Sequence, residues 1–260
     1  MNSAIVSHYL KELRLSGAAN SLPALLRETE TKGLSHLDFL SALLKHELDH
    51  REETLIARRT KQAHFPHTKS LETFDFTAIP SLNKTRILAL MRGEYLDERR
   101  HVILMGNSGT GKTHLASALG LCACQQGRKV RFYQTARWVE ELLTAREEHR
   151  LLRLEKEWMR DDLVILDELG YIPFSKTGAE LLFQFCSTRH ELGSMIVTTN
   201  LDFDKWPDVF GDVRMTEALI DRLTHRADIH MMNGESYRFR QSIQAKQSSG
   251  SDRRSDELSI

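Results

Sequence analysis

The stretch His-Val-Ile-Leu-Met-Gly-Asn-Ser-Gly-Thr-Gly-Lys-Thr, residues 101–113, joins a short apolar run to a glycine-rich loop that ends in lysine and threonine. Its last eight residues match the pattern G-x-x-x-x-G-K-[ST] at every fixed position. Glycines let the backbone turn so that successive N–H groups face one concavity, and a helix N-terminus behind them favours negative charge. The stretch therefore predicts a phosphate-binding loop between a strand and a helix.

This loop is typical of the P-loop proteins, which bind nucleoside triphosphates. Lys112 is expected to reach the outer phosphates, and the Thr113 hydroxyl to bind Mg²⁺. The residues predicted to bind the nucleotide are Gly106, Asn107, Ser108, Gly109, Thr110, Gly111, Lys112 and Thr113.

A pair of acidic residues supports the same interpretation independently. The apolar run 163–166 leads directly into Asp167 and Glu168. Two adjacent carboxylates at the end of a buried strand are unfavourable unless a cation or a reaction uses them, although capping of a helix is the plainer alternative. Asp167 is expected to hold Mg²⁺ through its water shell, and Glu168 to orient and deprotonate the attacking water. The sequence thus predicts ATP and Mg²⁺ as ligands and ATP hydrolysis as the reaction.

Strands and helices alternate from residue 101 onward, which predicts an α/β fold. The predicted helices cover residues 112–126, 134–160 and 177–191, and the predicted strands are 101–105, 130–133, 163–166, 195–198 and 229–232. Short apolar strands separated by helices indicate a parallel sheet covered on both faces. We therefore expect a five-stranded parallel sheet.

The first 63 residues have a different pattern and predict a small all-helical domain of about three helices. A helix is expected to start near Ser21 with Pro23 in its first turn, and another after Ser35, which forms a capping box with Asp38. In the third helix a row of leucines is expected to mark the buried face: Leu37, Leu40, Leu44, Leu48 and Leu55. The predicted divisions are an N-terminal domain at 1–63, a linker at 64–70, an ATPase domain at 71–243 and a disordered tail at 244–260.

The amino-acid composition limits the classes of protein to which this chain can belong. The 36 basic and 36 acidic residues cancel, so any binding to nucleic acid must come from local patches. The three cysteines have no paired spacing, which argues against a disulfide framework, and no apolar run is long enough for a membrane span. These features, with no signal-peptide pattern at the N-terminus, favour a cytoplasmic protein.

The strand predicted at 130–133 lies in sequence between the glycine-rich loop and the Asp-Glu pair. This arrangement resembles that of the AAA+ ATPases. The resemblance implies that Asn200, after the fourth strand, senses the γ-phosphate. It also implies that Arg222, before the fifth strand, reaches the neighbouring subunit's site, with Arg226 as a second candidate. AAA+ proteins usually carry a helical lid after the fifth strand, but only 28 residues follow Met232 here, so no lid is expected. Arg238 and Arg240 are the residues that could replace its arginine.

Several longer segments resemble the IstB family, the ATPase helpers of insertion-sequence transposases, which are relatives of the DnaC helicase loaders. The segments are LKELRLSG at 10–17, RRTKQAHFP at 58–66, LETFDF at 71–76, DELGYIP at 167–173, LFQF at 182–185 and WPDVFGD at 206–212. The resemblance implies an ATP-dependent homo-oligomer that binds double-stranded DNA and recruits its transposase. A DnaC-like helicase loader and a nucleotide switch without significant hydrolysis remain the alternatives.

Basic residues recur every three or four positions on the predicted helix before the third strand. At 3.6 residues per turn they would share about a third of the helix surface and could follow DNA phosphates, namely Arg146, Arg150, Arg153, Lys156 and Arg160. Interspersed glutamates allow the alternative of a solvated face with Glu–Arg pairs.

One further motif is set aside. Residues 46–50 fit H-E-x-x-H, a zinc-protease signature. Leu44 and Leu48 are expected to face the core, which would turn both histidines toward solvent, and no third ligand follows.

Overall fold

The structure, a computed structural model, describes residues 3–234 and residue 236. Within the chain there are two compact units, which divide between Arg59 and Thr60. The proposed tail and the candidate substitutes Arg238 and Arg240 lie outside the described residues. The domain limits drawn from the sequence stay predictions.

The first unit is helical. It contains α1 (Ser3–Glu12), α2 (Ser16–Lys32) and most of α3 (His36–Ala63). Its small core is built from Ala18, Leu22, Leu25 and Leu43. The expected capping box is present, since the Ser35 hydroxyl accepts the Asp38 N–H at 3.2 Å and donates to its carboxylate at 2.6 Å.

Helix α2 begins earlier than predicted. It starts at Ser16, so Pro23 lies inside the helix and not in its first turn. The Glu47 carboxylate, from α3, accepts the Ala18 N–H at 3.0 Å and also pairs with Arg51 at 2.6 Å. Because this cap comes from a residue 29 positions away, local sequence patterns do not reveal where the helix starts.

The leucine row of α3 faces outward, contrary to the prediction. Leu37 and Leu48 are 77% and 66% exposed, and Leu40, Leu44 and Leu55 are exposed as well, whereas Leu43 and Glu47 face the core. The contact of Glu47 with α2 determines which side of α3 is buried. The expectation that Leu44 and Leu48 face the core, one of the two reasons for setting aside the H-E-x-x-H motif, is therefore wrong, although His46 is exposed. His50 instead packs against Gly17, where an added Cβ would lie 2.5 Å from the His50 Cβ.

The second unit contains the rest of the described chain. Its elements are the 3-10 turns Leu71–Thr73, Phe76–Ala78 and Phe203–Lys205; the helices α4 (Lys84–Leu90), α5 (Glu94–Asp97), α6 (Lys112–Gln125), α7 (Thr135–Glu147), α8 (Leu151–Trp158), α9 (Lys176–Leu192), α10 (Trp206–Phe210) and α11 (Val213–Thr224); and the strands β1 (His101–Met105), β2 (Val130–Gln134), β3 (Leu163–Asp167), β4 (Ser194–Thr199) and β5 (Ala227–Met231).

The five strands form one parallel sheet in the order β2-β3-β4-β1-β5, which confirms the predicted fold class. One apolar cluster contains Trp138, Phe185 and Trp206, and a second contains Leu104, Leu119 and Ile196. In register, Gln134 lies beside Asp167, and Met105 lies beside Thr199. The carboxyl ends of these strands therefore meet at one edge of the sheet.

The helix predicted between the second and third strands is broken. Residues 148–150 separate α7 from α8, and His149 has a left-handed φ of 55°. Trp158 and Leu154 pack into the core, and their burial fixes the direction of α8 separately from that of α7. The five basic residues thus do not lie on one continuous helical face.

No helix in the described ranges is both long and apolar enough to cross a membrane.

Candidate nucleotide-binding site

A cleft of about 210 Å³ opens at the carboxyl ends of β3 and β4. One wall is the loop after β1, from Ser108 to Thr113, and the floor includes Glu168 and the residues 198–200. The opposite wall comes from the segment 66–79, which precedes the sheet in sequence. The cleft therefore collects residues that are far apart in the chain.

The loop after β1 has the backbone that the glycine pattern requires. Gly111 has a φ of 86° and directly precedes α6, so the N-terminus of this helix points into the loop. Gly106 has a φ of 150°, and an added Cβ there would lie 2.3 Å from the Met232 carbonyl oxygen. A larger residue at either position would change the loop that precedes Lys112.

Lys112 bends back over this loop. Its Nζ donates to the carbonyl oxygens of Gly106 and Asn107, each at 2.6 Å. The ammonium group is thus held beside the concavity in which an anion would be bound.

Asp167 is buried at the end of β3 and lies at the centre of a hydrogen-bond network. The Thr113 hydroxyl donates to its two oxygens at 2.9 and 3.1 Å, and the Thr198 hydroxyl donates at 2.6 Å. Burial raises the pKa of Asp167, and the hydrogen bonds from Thr198 and Thr113 oppose that rise. A carboxylate and a hydroxyl at this separation are the oxygen ligands that Mg²⁺ accepts, so the residues present fit such an ion.

Glu168 is exposed in the cleft and has an unusual backbone, with a φ of 59°. Its N–H donates to the Thr198 hydroxyl at 2.9 Å, and its carboxylate accepts from the Gln134 amide at 3.1 Å. Thr198 thus joins both acidic residues through one hydroxyl. Sequence reasoning missed Thr198 and Gln134 because a polar residue near the end of a strand is a common feature.

Asn200 follows β4 directly and lines the cleft. The structure therefore brings together Lys112, Thr113, Asp167, Glu168 and Asn200, and their roles stay predictions.

Arg222 is not among the residues that line this cleft. Near the end of α11, its Nη1 donates to the Ala218 carbonyl oxygen at 2.8 Å, and its guanidinium lies 5.1 Å from the centre of the Phe183 ring. Arg226, the second candidate, is exposed. Their roles stay predictions.

The five basic residues around α7 and α8 are all exposed. Arg146 lies near the end of α7, Arg150 in the break, Arg153 and Lys156 on α8, and Arg160 beyond it. Arg150 pairs with Glu148 at 2.5 Å and Arg153 with Glu157 at 3.4 Å, so part of the positive charge is compensated.

The family model for the IstB-like ATP binding protein matches residues 8–245. The chain belongs to this family. An IstB-like relative, an insertion-sequence ATP-binding protein of Sinorhizobium fredii, is 37% identical over 93% of this chain and 81% of its own length. The ATP-binding proteins of insertion sequence IS21 of Pseudomonas aeruginosa and of IS232 of Bacillus thuringiensis are 35% and 34% identical, over 91% and 89% of this chain and 89% and 92% of their own lengths.

Two solved structures resemble the fold of this IstB-like chain. AMPPCP-bound DnaA from Aquifex aeolicus gives a TM-score of 0.54 at 16% identity and covers 65% of this chain and 51% of its own. The structure of DnaI gives a TM-score of 0.51 at 16% identity and covers 63% of this chain and 90% of its own. These likenesses support the fold described above. The family supports ATP as the ligand and an ATPase role.

Proposed function

We propose that the protein hydrolyses ATP in an oligomer assembled on double-stranded DNA, and that this assembly recruits the transposase of the same insertion sequence. The observation that carries the hydrolysis step is the network in which Thr198 joins Asp167 to the backbone of Glu168, opposite the loop that holds Lys112. DNA binding and transposase recruitment rest on the family, whose relatives are ATP-binding proteins of insertion sequences.

The residues of the cleft divide the reaction among them. The N–H groups of residues 106–113 and the Lys112 ammonium bind the phosphates, while Asn200 contacts the γ-phosphate. Glu168 accepts a proton from a water molecule, whose oxygen forms a bond to the γ-phosphorus. The bond from that phosphorus to the bridging oxygen breaks, giving ADP and phosphate. Thr113, and Asp167 through water, would hold Mg²⁺, which would supply positive charge that offsets the charge on the phosphates.

Arg222 is proposed to complete the site of the neighbouring subunit. An arginine supplied in this way stabilises the charge that develops on the transferred phosphoryl group. In the single chain, Arg222 contacts Ala218 and Phe183 instead, and it is not among the residues of its own cleft.

The proposed DNA contacts are Arg146, Arg150, Arg153, Lys156 and Arg160. All five are exposed around the α7–α8 break, where they can contact phosphates without reading base sequence.

The experiment that tests hydrolysis compares wild type with Glu168→Gln. ATP turnover is measured with and without duplex DNA. We expect the variant to retain ATP binding and to lose about 10²-fold or more of its turnover, because the amide cannot accept the proton. It should also trap an ATP-bound complex on DNA.

Glu180→Gln, an exposed glutamate on α9, is the matched control and should keep wild-type turnover. Unchanged turnover in Glu168→Gln would remove Glu168 from the reaction. A wild-type protein that binds ATP but never hydrolyses it would favour a nucleotide switch.

A further inference from the structure

The cleft has a wall that the sequence motifs do not account for. The segment 66–79 faces the phosphate-binding loop and brings apolar groups into the cleft, among them Phe74, Ala78 and Ile79. If the loop holds the phosphates, this wall is the part of the cleft available to the rest of the nucleotide. The contacts that hold segment 66–79 against the phosphate-binding loop should then affect how tightly the nucleotide is bound.

His114 connects the two. It directly follows Thr113 in the first turn of α6, and its Nε2 lies 2.9 Å from the Ser70 carbonyl oxygen and 3.3 Å from the Thr73 hydroxyl. Because a carbonyl oxygen only accepts, Nε2 carries the proton. The Thr73 hydroxyl donates to the same Ser70 carbonyl oxygen at 2.9 Å. His114 and Thr73 together therefore use both lone-pair positions of that oxygen.

Ring contacts reinforce this hydrogen bond. The Phe74 ring lies edge-on to the His114 ring, with centroids 5.3 Å apart, and edge-on to the Phe76 ring at 4.9 Å. Phe74 also covers the phosphate loop, since a Cβ added to Gly111 would lie 3.0 Å from its ring. His114 therefore contacts the segment at the residues that reach the loop.

We propose that His114 is a positioning residue that fixes segment 70–74 to the phosphate-binding turn and so forms the part of the cleft that binds the nucleoside portion of ATP. This inference rests on the proposed nucleotide site. It assigns His114 no contact with the reacting phosphate. Removing the side chain should weaken binding of the nucleoside end and leave phosphate binding unchanged.

The test measures equilibrium binding of ATP and of inorganic tripolyphosphate by calorimetry, together with KM and kcat for hydrolysis. In the full chain, His114→Ala should weaken ATP binding by roughly fivefold, the loss expected for one hydrogen bond, and leave tripolyphosphate binding unchanged. KM should rise by a similar factor at constant kcat, because the lost interaction stabilises ground state and transition state equally. Retained tripolyphosphate binding also shows that the variant is folded.

His114→Gln is the rescue variant, since its amide can donate to the Ser70 carbonyl, and it should recover most of the ATP affinity. Thr73→Val removes the second donor to that carbonyl and should have a smaller effect than His114→Ala. The inference is overturned if His114→Ala weakens both ligands equally, if it weakens neither, or if kcat falls while KM is unchanged. A wild-type protein that binds neither ligand would instead overturn the proposed function.

Discussion

Opposing interactions act on the Asp167 carboxylate. Its carboxylate is buried at the sheet edge, which raises its pKa, while the hydroxyls of Thr198 and Thr113 stabilise the charged form. A neighbouring Glu168 adds repulsion. In the absence of a cation the charge is therefore poorly compensated, as expected for a residue that is retained to bind one.

The raised pKa of Asp167 gives a dependence of stability on pH. At a pH between the ordinary pKa of Asp167 and its raised pKa in the folded chain, the folded chain binds more protons than the unfolded chain. The stabilising contribution of this group to the free energy of unfolding is therefore fully present below the ordinary pKa. It is lost as pH rises through the folded pKa. In the absence of nucleotide and metal, Asp167→Asn should raise the free energy of unfolding at neutral pH, and the difference from wild type should shrink as pH falls toward about 4.

Urea unfolding at a series of pH values measures this difference. Asp204→Asn, an exposed aspartate, is the control and should show no such trend. A variant less stable than wild type at neutral pH would mean that the two threonine hydrogen bonds outweigh the effect of burial.

At the scale of elements, α7 and α8 are two helices in place of the single predicted one. The break at 148–150 separates Arg146 from Arg153 and Lys156, and two ion pairs with glutamates compensate part of the charge. Helical periodicity alone could not reveal the break, because His149 takes a left-handed conformation with no glycine to indicate it. The burial of Trp158 and Leu154 is what directs α8.

Removing two cations from α8 should weaken DNA binding in a salt-dependent way. For Arg153→Ala with Lys156→Ala, the slope of log affinity against log salt should fall by roughly 0.9 for each lost phosphate contact. The same two charges removed at Lys11 and Arg27, both exposed in the first unit, form the control. Equal slopes for both double variants and wild type would exclude α8 from the DNA contact.

Other elements show where sequence patterns reach their limit. The spacing of residues predicted the loop with Lys112, because phosphate binding demands fixed neighbours along the chain, and an apolar run leading into two acids predicted the pair at the end of β3. The leucine row of α3 was placed on the wrong side, because a buried carboxylate, Glu47, caps a distant helix. Thr198 and His114 act through partners that are distant in sequence, so no local pattern marks them.

At the scale of the whole molecule, the proposed site is divided between subunits, and this can be tested by mixing variants. Arg222→Ala keeps its own cleft but lacks the arginine for its neighbour, whereas Glu168→Gln has the arginine but an inactive cleft. Each alone should have little turnover. An interface is active only where the intact cleft of an Arg222→Ala subunit meets the arginine of a Glu168→Gln subunit. In a random mixture of equal amounts this holds for roughly a quarter of the interfaces, because each contact joins two different surfaces.

Turnover of the mixture, with duplex DNA present, is the measurement. Full activity of Arg222→Ala alone, or no recovery on mixing, would contradict a shared site. Sizing of the wild type should show large assemblies only when duplex DNA and a non-hydrolysable ATP analogue are both present.

The backbone of Glu168 has a consequence for any attempt to make this protein more robust. A side chain in the left-handed region costs about 1–2 kcal/mol, which glycine would not incur. A laboratory selection for heat resistance alone should enrich Glu168→Gly and yield a protein that is more stable to heat but does not hydrolyse ATP. Tolerance to heat and turnover would have to be screened together.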